Sequence, residues 1–136
     1  MNKEPKAAAN WYIASTHYVT AGLAVPFAVS LIAAFLLTNL IPENILFIEG
    51  IITPLNLVSI WFGTIYSARF IKRTYIIPDS RKIVTLSVTY FVVVGILSMV
   101  AFLYIPQDPI IIAANACNVV LGSIVFYVAS KKYIYT

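Results

Sequence analysis

Four stretches of this chain, at about residues 18–41, 50–68, 83–104 and 110–129, contain no aspartate, glutamate, lysine or arginine. Crossing the hydrocarbon core of a bilayer as an α-helix takes about 20 apolar residues, and each stretch supplies them. Backbone groups in lipid must be paired within the segment, and these runs lack the alternation of a barrel strand, so each is read as a helix. Composition points the same way. Charged residues make up 10% and hydrophobic residues 61% of 136 residues, whereas a soluble domain carries about 25% charged residues. A chain this short buries only about two-thirds of its surface on folding, so lipid must solvate much of it. The expected fold is an all-α integral membrane bundle of four transmembrane helices over a single domain, residues 1–136.

The basic residues give that bundle a direction. Lys3 and Lys6 precede the first span, and Arg69, Lys72, Arg73, Arg81 and Lys82 lie between the second and third. Lys131 and Lys132 follow the fourth, which puts all nine Lys and Arg on one side. Glu43, Glu49 and Asp108 mark the other side. The positive-inside rule places the basic side, with both termini, in the cytoplasm. A prokaryotic plasma membrane is the expected location, and the first span is expected to be retained rather than cleaved. Short connections, with Asp79 or Ser80 capping the third helix after Pro78 and with Pro106 and Pro109 confining the turn before the fourth, make successive helices antiparallel. The net charge of +4 does not indicate nucleic acid, because the basic residues sit in short runs beside apolar spans rather than on an amphipathic face.

The two halves align with each other. Sliding the second span onto the fourth places Glu49 on Asp108, Asn56 on Asn115, Gly63 on Gly122 and Lys72-Arg73 on Lys131-Lys132. The first and third match best with Ile41-Pro42 on Ile105-Pro106, at an offset that calls for a longer outer loop in the first hairpin. Two tandem hairpins of like orientation, a parallel repeat, are expected.

Neutral polar residues carry whatever functional signal the spans hold. Asn56, Ser59 and Gly63 in the second span, and Asn115, Asn118 and Gly122 in the fourth, share the spacing i, i+3, i+7 and so lie on one helix face each. At about 1.5 Å per residue these faces begin in the outer third of the bilayer. Asn39 and Ser98 are expected at a comparable depth. Helix packing accounts for such residues: small side chains allow close approach, as in the series Ser59, Gly63, Ser67, and Asn bonds across an interface. A solute pocket open to the outside is the competing account, with amides replacing water and with Glu43, Glu49 and Asp108 biasing its mouth toward cations. Pro26 removes a backbone hydrogen bond inside the first helix and is a candidate hinge.

Several functions are disfavoured. His17, the one histidine, sits at the cytoplasmic edge and is expected to be solvated rather than a proton relay or haem ligand. Cys117 is the one cysteine, which rules out an intrachain disulfide or a thiolate metal cluster. No carboxylate lies in any span to serve as a base or to couple protons, and no cofactor, metal or catalytic residue is expected. Small multidrug exporters carry a glutamate in helix 1 that is missing here. Four-helix flippase-like proteins of polysaccharide synthesis share the size and topology but none of their motifs is present. The expected role is a non-enzymatic accessory or scaffold subunit in the lipid bilayer, packed with a larger membrane partner or with copies of itself. The alternative is a small oligomeric transporter or channel for a neutral or cationic solute.

Overall fold

A computed structural model describes residues 6–8, 10–77 and 79–135. Lys3 and Pro78, which entered the charge and capping expectations, lie outside the described residues. Four helices form the chain: α1 (Trp11–Leu40), α2 (Ile45–Thr74), α3 (Ser80–Leu103) and α4 (Pro109–Ile134). All four are long and apolar enough to cross a membrane. They outrun the charge-free spans at most ends, because helical hydrogen bonding continues through flanking charges that lipid would exclude.

A short polar side chain sets each helix start, taking up an N–H that the first turn leaves unpaired. Asn10 Oδ1 accepts from the Tyr12 N–H at 3.0 Å, and Asn44 Oδ1 from the Phe47 N–H at 3.0 Å. Asp79 Oδ1 accepts from the Arg81 and Lys82 N–H groups at 3.1 and 3.3 Å, so Asp79 rather than Ser80 caps α3. Asp108 Oδ1 accepts from the Ile110 N–H at 2.9 Å, with Pro109 in the first turn of α4. At the opposite ends, Lys72 and Arg73 close α2 and Lys131 and Lys132 close α4, complementing the helix dipoles.

Contacts between distant segments fix the up-down order. The Tyr18 hydroxyl near the start of α1 hydrogen-bonds Ser130 Oγ near the end of α4 at 2.8 Å. His17 Nδ1 meets the Tyr75 hydroxyl, just past α2, at 2.6 Å. Beside it two short strands, β1 (Ala7–Ala8) and β2 (Tyr75–Ile76), pair in parallel and tie the N-terminal segment to the connection between α2 and α3. The basic residues therefore gather at one end of the bundle, called here the basic end; Glu43 and Asp108 lie at the acidic end. Around the bundle the neighbours run α1, α2, α4, α3 and back to α1, with α1 and α2 the most closely packed pair and α1 and α3 the least.

The connections at the acidic end are residues 41–44 and 104–108, so the first hairpin has no longer loop. Its additional residues lie in the helices: α1 and α2 have 30 residues each, against 24 in α3 and 26 in α4.

Lipid tails are as apolar as leucine, so helices in a bilayer associate through close packing and hydrogen bonds rather than through hydrophobic burial. The basic half shows how. A side chain on Gly63 would overlap the carbonyl of Gly22 and approach Pro26 Cδ at 3.3 Å. Pro26 lacks the N–H that would bond Gly22 four residues earlier, so that carbonyl is free to face another helix. With no side chain, Gly63 leaves room for that carbonyl. Glycine on both sides brings the α1 and α2 backbones together.

Candidate functional site

Gly22, Pro26, Ser30 and Ala34 of α1 are spaced four apart and so fall along one stripe of the helix. Gly22 meets α2 as described. Past Pro26 the stripe runs into a cavity of about 800 Å³ in the acidic half. α2 and α4 make its back wall, with Glu49, Ile52, Asn56, Ile60, Asn115, Asn118 and Val119. Pro26, Phe27, Ser30 and Leu31 of α1 and Phe91, Val94, Gly95 and Ser98 of α3 form its sides.

Exposure of the lining residues shows where the cavity opens. Phe27 and Leu31 on α1 are 68% and 56% exposed, and Val94 on α3 is 45% exposed; Ser98 is exposed too. The lining residues of α2 and α4 are all buried or half-buried. The opening therefore lies between α1 and α3, the least closely packed neighbours.

A chain of side-chain hydrogen bonds crosses the back wall. Ser30 Oγ donates to Asn56 Oδ1 at 3.1 Å, and Asn56 Nδ2 donates to Asn118 Oδ1 at 3.2 Å. Three helices thus meet through one amide, and all three side chains also line the cavity. Each amide here can make more bonds than the chain uses, which leaves donor and acceptor capacity for an occupant.

Below this level the bundle closes. Phe91 lines the cavity and stacks on Phe126, with centroids 4.7 Å apart and planes 12° apart. Phe126 packs on Tyr18 at 5.5 Å, and Tyr18 bonds Ser130. Phe126 and Tyr18 are essentially inaccessible. Ser67 Oγ donates to the Tyr18 carbonyl, and Thr64 Oγ1 donates to the Ile60 carbonyl at 2.7 Å. The Ser15 and Ser87 hydroxyls are buried in the same half without a partner.

The residues singled out from sequence divide between these regions. Asn56, Asn115, Asn118 and Ser98 line the cavity. Ser98 donates to the Val94 carbonyl of its own helix at 2.9 Å. Ser59 is buried and donates to the Leu55 carbonyl at 2.7 Å, away from the cavity lining. Gly63 and Ser67 hold α2 against α1. A side chain on Gly122 would meet Ile60 Cδ1 at 2.9 Å and the Phe91 ring at 3.7 Å, which places α4 against α2 and α3. Asn39 is not at this level: it is exposed and bonds the Phe35 carbonyl of its own helix at 2.7 Å. Ser30 is α1's contribution instead. Pro26 sits where the closed half gives way to the open one. The helix runs unbroken through it, and through Pro54 in α2 as well.

The three acids of that end also separate. Glu43 is exposed in the connection, and Asp108 is engaged as the cap of α4. Glu49 belongs to α2, because Asn44 starts that helix before it, and it lines the cavity. Among the described residues no group of three or more His, Cys, Asp or Glu is placed to hold a metal ion. A shallower hollow of about 420 Å³ beside Asn44 and Gly50 has no convergent polar side chains.

Compared with known proteins, the chain matches no family model, no curated protein and no solved structure.

Proposed function

We propose that this chain is a non-enzymatic membrane protein that takes a neutral or cationic solute into a pocket facing the outside of the cell, as a small transporter or channel subunit. One observation carries the proposal: the bond between Asn56 and Asn118 forms the wall of a cavity instead of lying in a sealed interface. Amides that served packing alone would be expected between closely apposed helices, where Ser67 and Thr64 are. The sealed layer of Phe91, Phe126 and Tyr18 suits a protein whose pocket communicates with one side at a time, and Pro26 is the candidate pivot at its edge. Cytoplasmic termini, from the distribution of Lys and Arg, orient the pocket outward. The likeness of the two hairpins fits an ancestral duplication, although Asn56 pairs with Asn118 rather than with its aligned counterpart Asn115. A channel for solute flux would require assembly into a homo-oligomer, since four helices enclose little lumen.

The test is thiol accessibility in intact cells. With Cys117 replaced by alanine, single cysteines at Asn56, Asn115 and Asn118 are treated with a membrane-impermeant reagent from outside, and a cysteine at Asn44 serves as the loop control. Rapid labelling at all three pocket positions is expected. Labelling at Asn44 alone, together with stoichiometric recovery of a larger membrane protein on purification, would replace this function with that of an accessory subunit.

A further inference from the structure

We infer that the cavity is a binding site for an amphiphilic organic cation, which enters between α1 and α3 from the bilayer and places its charge against Glu49. The inference rests on the pocket being the functional site proposed above, and it adds the chemical class of the occupant and its route.

Charge complementarity selects the class. Among the described residues that line the cavity, Glu49 carries the one formal charge. Among the described residues no lysine or arginine lines it, and the eight described ones lie at or beyond the basic end of the helices. A carboxylate facing a largely apolar hollow attracts a cation more strongly than it would in water, because little solvent screens it. An anion would meet Glu49 and no compensating donor of positive charge. The remaining lining suits the body of such a ligand. Phe27 and Phe91 offer aromatic faces to a cationic or aryl group. Ile52, Ile60, Val94 and Val119 supply apolar contact. Spare amide capacity on Asn56 and Asn118 gives polar substituents a place to bond.

Geometry selects the route. The exposed lining residues belong to α1 and α3, so the gap is lateral. Glu49 is on the second turn of α2, counting from Ile45, close to the acidic end. A ligand lying in the bilayer interface with its charge at the surface and its apolar body among the lipid tails already has the orientation that the cavity demands. It would slide past Phe27 and Leu31 without inverting.

The experiment uses the full chain in mild detergent, with tetraphenylphosphonium as the cation and triphenylphosphine oxide as a neutral body of similar shape. Equilibrium dialysis gives the ratio of their affinities. Wild type is expected to bind the cation saturably. Glu49→Gln is expected to lower the ratio of cation to neutral affinity roughly tenfold, the size of one lost, partly screened charge pair. Glu49→Asp keeps the charge and should restore most of the ratio, and Glu43→Gln, in the connection, should leave it unchanged. Tetraphenylphosphonium should also protect a Ser98→Cys thiol from alkylation in the Cys117→Ala background. An unchanged ratio in Glu49→Gln would overturn cation recognition while leaving a pocket for neutral solutes standing. An equal fall in Glu43→Gln would reduce the effect to the general field of the acidic end, and would also overturn it. Binding of neither probe, with the pocket thiols labelled from outside as above, would exclude this class of ligand without removing the pocket.

Discussion

The basic and acidic halves of this bundle are built from the same four helices and the same kinds of residue, and they pack differently. In the basic half most buried polar side chains bond close at hand, Ser67 on the Tyr18 carbonyl, Tyr18 on Ser130 and Thr64 on its own helix, while the Ser15 and Ser87 hydroxyls are shut in without a partner. Glycine faces glycine where α1 meets α2. In the acidic half a serine and two asparagines bond one another on the wall of an open hollow. The crossover comes at Pro26, whose ring touches the tight contact at Gly63 on one side and lines the cavity on the other. Polar residues in membrane helices thus do two jobs here, and the space around them, not their type, tells which.

Substitutions that remove the tight contact should be the most damaging. Gly63→Val puts a branched side chain against a backbone carbonyl that cannot turn away, and should cost about 3 kcal/mol or more, measured as unfolding of the full chain in bicelles. Gly50→Ala, a glycine with nothing within 4 Å of the added carbon, is the matched control and should stay within about 0.5 kcal/mol. If both behave alike, the contrast between the halves is lost.

Tyr18→Phe comes next. It strands the Ser130 hydroxyl in a fully buried place and should cost about 1–2 kcal/mol by the same assay. Asn118→Ala breaks a longer bond, 3.2 Å, in the cavity wall, where the freed Asn56 amide can turn to other partners. Its stability cost should be smaller, about 0.6 kcal/mol, while affinity for any pocket ligand should change measurably. A larger loss of stability for Asn118→Ala than for Tyr18→Phe would mean that the wall is a structural contact. The smallest effect is expected at Asn39→Ala, which removes an exposed bond within one helix turn and should leave both stability and binding unchanged.

Much of the architecture was legible in the sequence, for identifiable reasons. Freedom from charge over four long runs admits few structures other than lipid-spanning helices, and the confinement of Lys and Arg to alternate connections sets an up-down order. Asn56 and Asn118 were found because an amide in an apolar helix needs a partner. Glu49 lies inside α2 although it precedes the charge-free span, because spans defined by the absence of charge stop short of a carboxylate even when Asn44 has already started the helix. Asn39 is the more polar side chain, but Ser30 is the one on the face of α1 that meets Asn56. The recurrence of Gly22, Pro26, Ser30 and Ala34 every four residues was the available signal. Nothing in a two-residue strand such as Ala7–Ala8 distinguishes it from loop, so the pairing with Tyr75–Ile76 had no local signature. The cavity itself depends on how far α1 and α3 part, a distance set by packing that no single span encodes.

The central claim is that one bundle has a closed half and an open half, and α4 passes through both. With Cys117 replaced by alanine, cysteines at Asn118 and Ser130 can be compared directly in purified protein by their rates of reaction with a small methanethiosulfonate. Mixed-disulfide formation, with release of methanesulfinate, should be at least about a hundredfold faster at position 118, since local opening at the buried site has to precede reaction. Equal, slow rates at the two positions would mean that the Asn56–Asn118 contact is as sealed as the Tyr18–Ser130 contact, and that the bundle holds no pocket.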